Sequence, residues 1–130
     1  YRSSRGLGDV YKRQITIYPV GLSDREANFK FYVREWNTGS SRIDKDGKDI
    51  IKCDVLDNYK FTDIDLIKID AENHEKFILR GMSTFFKNNS PVIIIEINDK
   101  FTRNEILSNL KAINYELIMQ DDADSILKRN

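Results

Sequence analysis

Two apolar runs set the tightest limit on how this chain can fold. "DIDLIKID" at residues 63–70 and "PVIIIEI" at residues 91–97 each have the length of one strand. Between them, Glu72 to Asn88 places Ile78, Met82, Phe85 and Phe86 on one face at helical spacing, and Asn88, Asn89, Ser90 and Pro91 end the pattern. A connection of this length is too long for a hairpin and suits a crossover between parallel strands. The sequence therefore specifies a strand–helix–strand unit, which should be right-handed. "PVIIIEI" is apolar at odd and even positions alike, the mark of a strand covered on both faces inside a parallel sheet.

The neighbouring segments extend that unit. "ITIYPV" (15–20), punctuated by Pro19 and Gly21, and the alternating "ANFKFYV" (27–33) read as strands. "EWNTGSSRIDKDGKD" (35–49) is polar with two glycine breakers, so a surface loop is expected there. "DIIKCDVLDNY" reads as a strand running into a turn of helix. Thr102 and Glu105 form a capping box ahead of Ile106, Leu107, Leu110 and Ile113, so a helix should begin at that box. "YELIMQ", the acidic "DDAD" and "SILKR" then form a terminal antiparallel hairpin. The expected fold class is α/β, a mostly parallel sheet with an antiparallel edge.

Composition narrows the function. The 130 residues suffice for one domain, and 21 Lys+Arg balance 21 Asp+Glu, which argues against nucleic acid or an anionic membrane as partner. The lone Cys53 excludes an intrachain disulfide framework or a cysteine-rich zinc site and fits a reducing cytoplasm. The longest apolar run, Val92 to Ile95, falls far short of the ~20 residues that span a bilayer. Residues 1–14, "YRSSRGLGDVYKRQ", lack the apolar middle of a signal peptide and look like adapter-derived translation. They are set apart from the domain at 15–130, and their "GLGD" follows no strand and is not read as a phosphate-binding loop.

In open α/β sheets, ligands bind beyond the carboxyl ends of the strands. Asp70 stands at one such end, Glu96 near the end of the next strand, and Gly21 to Asp24 after an earlier one. The cluster Asp70, Glu72, His74 and Glu75 allows three readings. Asp70 could cap the helix that starts near Glu72. Asp70 and His74 could both face a crevice. Asp70, Glu72 and His74 could hold a transition metal, but residues two apart on a strand-to-helix turn rarely face one point and no second histidine completes the set, so no metal is expected.

"PVGLSDREANFKFYV", then "NTGSS", then "IDLIKIDAENHEKFILRGMSTFFKNNSPVIIIEI" resemble, in this order, the second half of an FkbM-family methyltransferase, from about Ile15 to Arg129. The resemblance implies a Rossmann-like fold using S-adenosylmethionine, with Ile15–Tyr18, Leu66–Asp70 and Val92–Ile97 as its third, fourth and fifth strands. It implies that Gly21, Leu22, Ser23 and Asp24 border the cofactor's adenine. Asp70 would face methyl donor and acceptor, with His74 and Glu96 as catalytic candidates. Asn37, Gly39, Ser40 and Ser41 would wall the substrate side. The implied reaction is transfer of a methyl group to a hydroxyl of a small molecule or glycan.

Asn73 stands where the family usually has glycine, and asparagine tolerates a left-handed backbone. The family's first strands and glycine-rich cofactor loop should precede Ile15, so the chain reads as a C-terminal portion that binds cofactor weakly, with its fourth strand open to self-association along an unpaired edge. The alternatives are a non-enzymatic α/β remnant or interaction module pairing through that edge, and, behind it, a metal-dependent hydrolase.

Overall fold

The computed structural model describes residues 14–36 and 38–130, so the segment 1–13 and Asn37 lie outside the described residues. The N-terminal half builds one small sheet from β1 (Gly21–Leu22), β2 (Ala27–Tyr32), β3 (Arg42–Ile43) and β4 (Asp49–Asp54), in the order β1-β4-β2-β3. The C-terminal half builds a second from β5 (Leu66–Ile69), β6 (Val92–Glu96), β7 (Tyr115–Asp121) and β8 (Asp124–Arg129), in the order β5-β6-β8-β7. Helices α1 (Glu75–Arg80) and α2 (Ser83–Asn88) connect β5 to β6, and α3 (Lys100–Lys111) connects β6 to β7.

The crossover forms as the apolar pattern requires. β5 and β6 pair in parallel, and β6 continues antiparallel to β8 in the terminal hairpin. Ile93 and Ile95 are fully buried between these neighbours. Each such side chain contributes about 1.5–3 kcal/mol. They share one core with Ile78 from α1, Met82 from the joint between α1 and α2, Phe85 from α2 and Leu110 from α3.

Five expectations change. The sheet is not mostly parallel: among the described residues only β1–β4 and β5–β6 run parallel, and the other four pairings are antiparallel, because β2–β4 and the terminal segment fold back locally. Ile15–Tyr18 is not a strand. It has no ladder partner among the described residues, its apolar side chains are half exposed, and pairing starts only at Gly21 opposite Cys53. The loop at 35–49 contains a 3-10 turn, Thr38–Ser40, and the short β3. The helix expected from Glu72 to Asn88 is two helices, because the carboxylate of Asp57, on the 3-10 turn Leu56–Tyr59, accepts the backbone N–H groups of Thr84 (2.9 Å) and Phe85 (2.8 Å) and so caps a fresh helix start. Lastly, α3 begins before Thr102: Asp99 accepts that residue's N–H at 2.7 Å and its hydroxyl at 2.6 Å and serves as the cap.

Among the described residues β5 lies at the edge of its sheet, with β6 as its one neighbour. That position explains Lys68, which would be out of place in a central strand but is exposed here.

Candidate functional site

The parallel register of β5 and β6 sets Ile69 beside Ile95, so Asp70 and Glu96 emerge side by side at the strands' carboxyl ends. The Glu96 carboxyl is held above its ordinary range, first by a hydrogen bond with Asp70, then by the charge of Asp70 and by partial burial, with Asp124 and Glu72 adding repulsion. Two carboxyls in contact favour keeping a proton between them. Asp70 is not the helix cap, because the residue before α1 is His74. The N–H of Ala71 is taken instead by Oε1 of the buried Glu75 at 2.9 Å, which closes the turn.

Glu72 (φ 46°) and Asn73 (φ 77°) both adopt the left-handed region, which Asn73 tolerates almost as glycine does. This tight turn carries the chain from Asp70 to His74 and directs the imidazole inward. Its Nε2 lies 2.9 Å from Ser23 Oγ, Phe77 stacks on the ring at 4.8 Å, and Phe29 meets it edge-on at 5.7 Å. Burial pushes His74 below the ordinary imidazole value of 6.5, the charge of Asp24 opposes that shift, and Arg25 adds to it. The ring is neutral at physiological pH.

Gly21, Leu22, Gly39, Ser41, Arg42, Asp70, Glu72 and His74 border one cleft of about 270 Å³, with Phe31, Ile51 and Ile78 as apolar wall. Three segments distant in sequence thus meet around it, and two of them, 39–42 and 70–74, supply its polar side chains. Gly21 is needed there for space, since a Cβ would stand 2.7 Å from Cys53 Sγ. Ser41 Oγ accepts the Arg34 N–H at 3.2 Å, which fixes the wall on that side, and Ser40 adjoins it in the 3-10 turn.

Other candidates stand apart. Ser23 is fully buried behind the cleft against His74, and Asp24 turns to an ion pair with Arg25 at 2.9 Å, so neither lines the cleft beside Gly21 and Leu22. Glu96 backs Asp70 rather than bordering the space. Asn37 lies outside the described residues. Among those described, no group of three His, Cys, Asp or Glu residues is disposed to hold a metal ion. Arg42 was missed by the sequence reading, and its only signal was its place directly after "NTGSS". A separate apolar groove of about 410 Å³ between the α1–α2 pair and α3 contains none of the strand-end acids. No helix among the described residues is long and apolar enough to cross a membrane.

The model of the methyltransferase FkbM domain matches residues 7–117, which includes every residue bordering the cleft. Neither the curated proteins nor the solved structures contain a match. With most of its length covered by that one model, the chain belongs to the FkbM methyltransferase domain family.

Proposed function

We propose that the chain is the acceptor-side portion of an S-adenosylmethionine-dependent O-methyltransferase acting on a hydroxyl of a small molecule or glycan. One observation carries this reading: Gly21 and Leu22, Gly39 and Ser41, and Asp70 and His74, from three separated segments, border a single cleft at a strand's carboxyl end. The acids Asp70 and Glu72 suit the cationic sulfonium end of the cofactor, which when bound supplies an electrophilic methyl group. At about 270 Å³ the cleft is smaller than the ~300 Å³ at which ligand pockets usually begin, so the described residues fit that end alone. This chain by itself is accordingly expected to bind S-adenosylmethionine weakly or not at all, and micromolar binding by calorimetry would contradict that.

In this reading Asp70 accepts the proton of the acceptor hydroxyl as its oxygen becomes nucleophilic. Glu96, whose own carboxyl Asp70 holds above the ordinary range, stands directly behind that base. Neutral His74 offers a second acceptor and orients the hydroxyl, while Phe31, Ile51 and Ile78 exclude water from one wall. The test is Asp70→Asn in the full-length protein, assayed by transfer of a radiolabelled methyl group. Loss of a general base should lower the rate about 10²–10⁴-fold. An undiminished rate would overturn the assignment.

A further inference from the structure

His74 is the chain's one histidine, and the nitrogen that carries its proton decides what the ring offers the cleft. Nε2 lies 2.9 Å from Ser23 Oγ, and that hydroxyl donates to Asp24 Oδ1 at 3.3 Å. A hydroxyl has one proton to give, and a carboxylate can only accept. With the Ser23 proton directed to Asp24, the Ser23 oxygen is left to accept from the imidazole. Nε2 then carries the hydrogen and Nδ1 the lone pair.

We propose that Ser23 and Asp24 are positioning residues that lock His74 as its Nε2–H tautomer and so present Nδ1 to the cleft as a hydrogen-bond acceptor for a hydroxyl-bearing substrate. Three further observations support the lock. Ser23 is itself immobilised: it is fully buried, its N–H donates to the Asp54 carbonyl at 2.9 Å, and a Cβ on Gly81 would stand 2.4 Å from its carbonyl oxygen. Phe29 and Phe77 hold the ring between them. Among the described residues Nδ1 has no protein hydrogen-bond partner, although His74 borders the same cleft as Asp70. Only the identity of what meets Nδ1 rests on the methyl-transfer reading. The tautomer does not.

The test is long-range ¹H–¹⁵N correlation of the single imidazole in the ¹⁵N-labelled chain above the pKa of His74. The wild-type ring should show the limiting shifts of one tautomer, with hydrogen on Nε2. Asp24→Ala leaves the Ser23 proton free to turn to Nε2, so the population with hydrogen on Nδ1 should rise. Ser23→Ala should bring the shifts towards the averaged values of free histidine, and Ser23→Thr, which keeps the hydroxyl, should restore the lock. A merely structural Ser23 would change stability without changing the tautomer. A wild-type ring with hydrogen on Nδ1, or an Asp24→Ala ring like the wild type, would overturn the proposal. Undiminished methyl transfer by Asp70→Asn would overturn the proposed function and leave the tautomer assignment standing.

Discussion

Gly81→Ala tests whether the joint between the two sheets is as tight as the geometry requires. The backbone there (φ −85°, ψ 11°) is open to any L-residue, so the usual expectation for Gly→Ala is stabilisation of about 0.4–1 kcal/mol from a stiffer unfolded chain. The new methyl would instead stand 2.4 Å from the Ser23 carbonyl oxygen, and 3.2 Å and 3.3 Å from Val55 Cγ1 and Cβ. To relieve the first contact, Ser23 and the α1–α2 junction must separate by roughly 0.6 Å or more, and close-packed interiors resist such shifts at about 1–3 kcal/mol. The Ser23 carbonyl cannot swing away cheaply, because Ser23 is buried and tied to both Asp54 and His74. The two opposed effects leave a net loss of about 1–2 kcal/mol, or roughly 3–10 °C in Tm for a domain of this size. Urea unfolding followed by circular dichroism measures it. A variant as stable as the wild type, or more so, would refute the close approach.

Two further outcomes follow from groups that act at a distance in sequence. Asp57→Ala removes the acceptor for two N–H groups at the start of α2 and should cost about 1 kcal/mol (range 0.5–2) in urea unfolding, with Asp57→Asn recovering part of it. His74 is depressed in the folded chain by burial, so around and just below pH 6.5 the unfolded chain binds the proton more tightly than the folded one. Stability should therefore fall as the pH drops through 6.5 towards the folded-state value, and His74→Gln should abolish that part of the slope.

The sequence revealed elements whose determinants lie within their own residues. The apolar pattern of "VIIIEI" and the helical spacing after Asn73 were enough to read the β5–β6 crossover, and the alternation on either side of "DDAD" was enough for the hairpin. Asn73 was correctly read as a residue for a left-handed turn. Failures occurred where the determinant lies elsewhere in the chain. The break at Gly81 depends on a cap supplied by Asp57, 27 positions before Thr84. The Thr102–Glu105 pair was a sound signal, but Asp99 reached the same N–H first. A β-branched run such as Ile15–Tyr18 becomes a strand only with a ladder partner, and periodicity cannot supply one. The candidate site shows the same division. Asp70 could be placed because it sits at the end of a legible strand, whereas Gly39 and Ser41 lie in a polar loop where only the resemblance of "NTGSS" pointed to them, and the role of Ser23 depends on a contact with His74, 51 positions away.

Among the described residues β5 has an open edge, which supports the second reading, an interaction module that adds a strand. A free edge presents unpaired N–H and C=O groups that invite pairing, and Leu66 is exposed along it. Lys68 stands on the same face as Leu66, two residues on, so any approaching strand must desolvate its ammonium group, and a second copy would bring a like charge. If Lys68 guards the edge, Lys68→Val removes the guard and substitutes a better strand former. Cross-strand pairs differ by about 0.2–1 kcal/mol, and a two-fold dimer counts the difference twice, so self-association should tighten about two- to thirtyfold. Sedimentation velocity across a concentration series reads this directly, with Lys68→Glu as the charged control that stays at the wild-type level. A Lys68→Val chain that sediments like the wild type would mean the edge is closed to partners by something other than this charge, and the interaction-module reading would lose its one structural support.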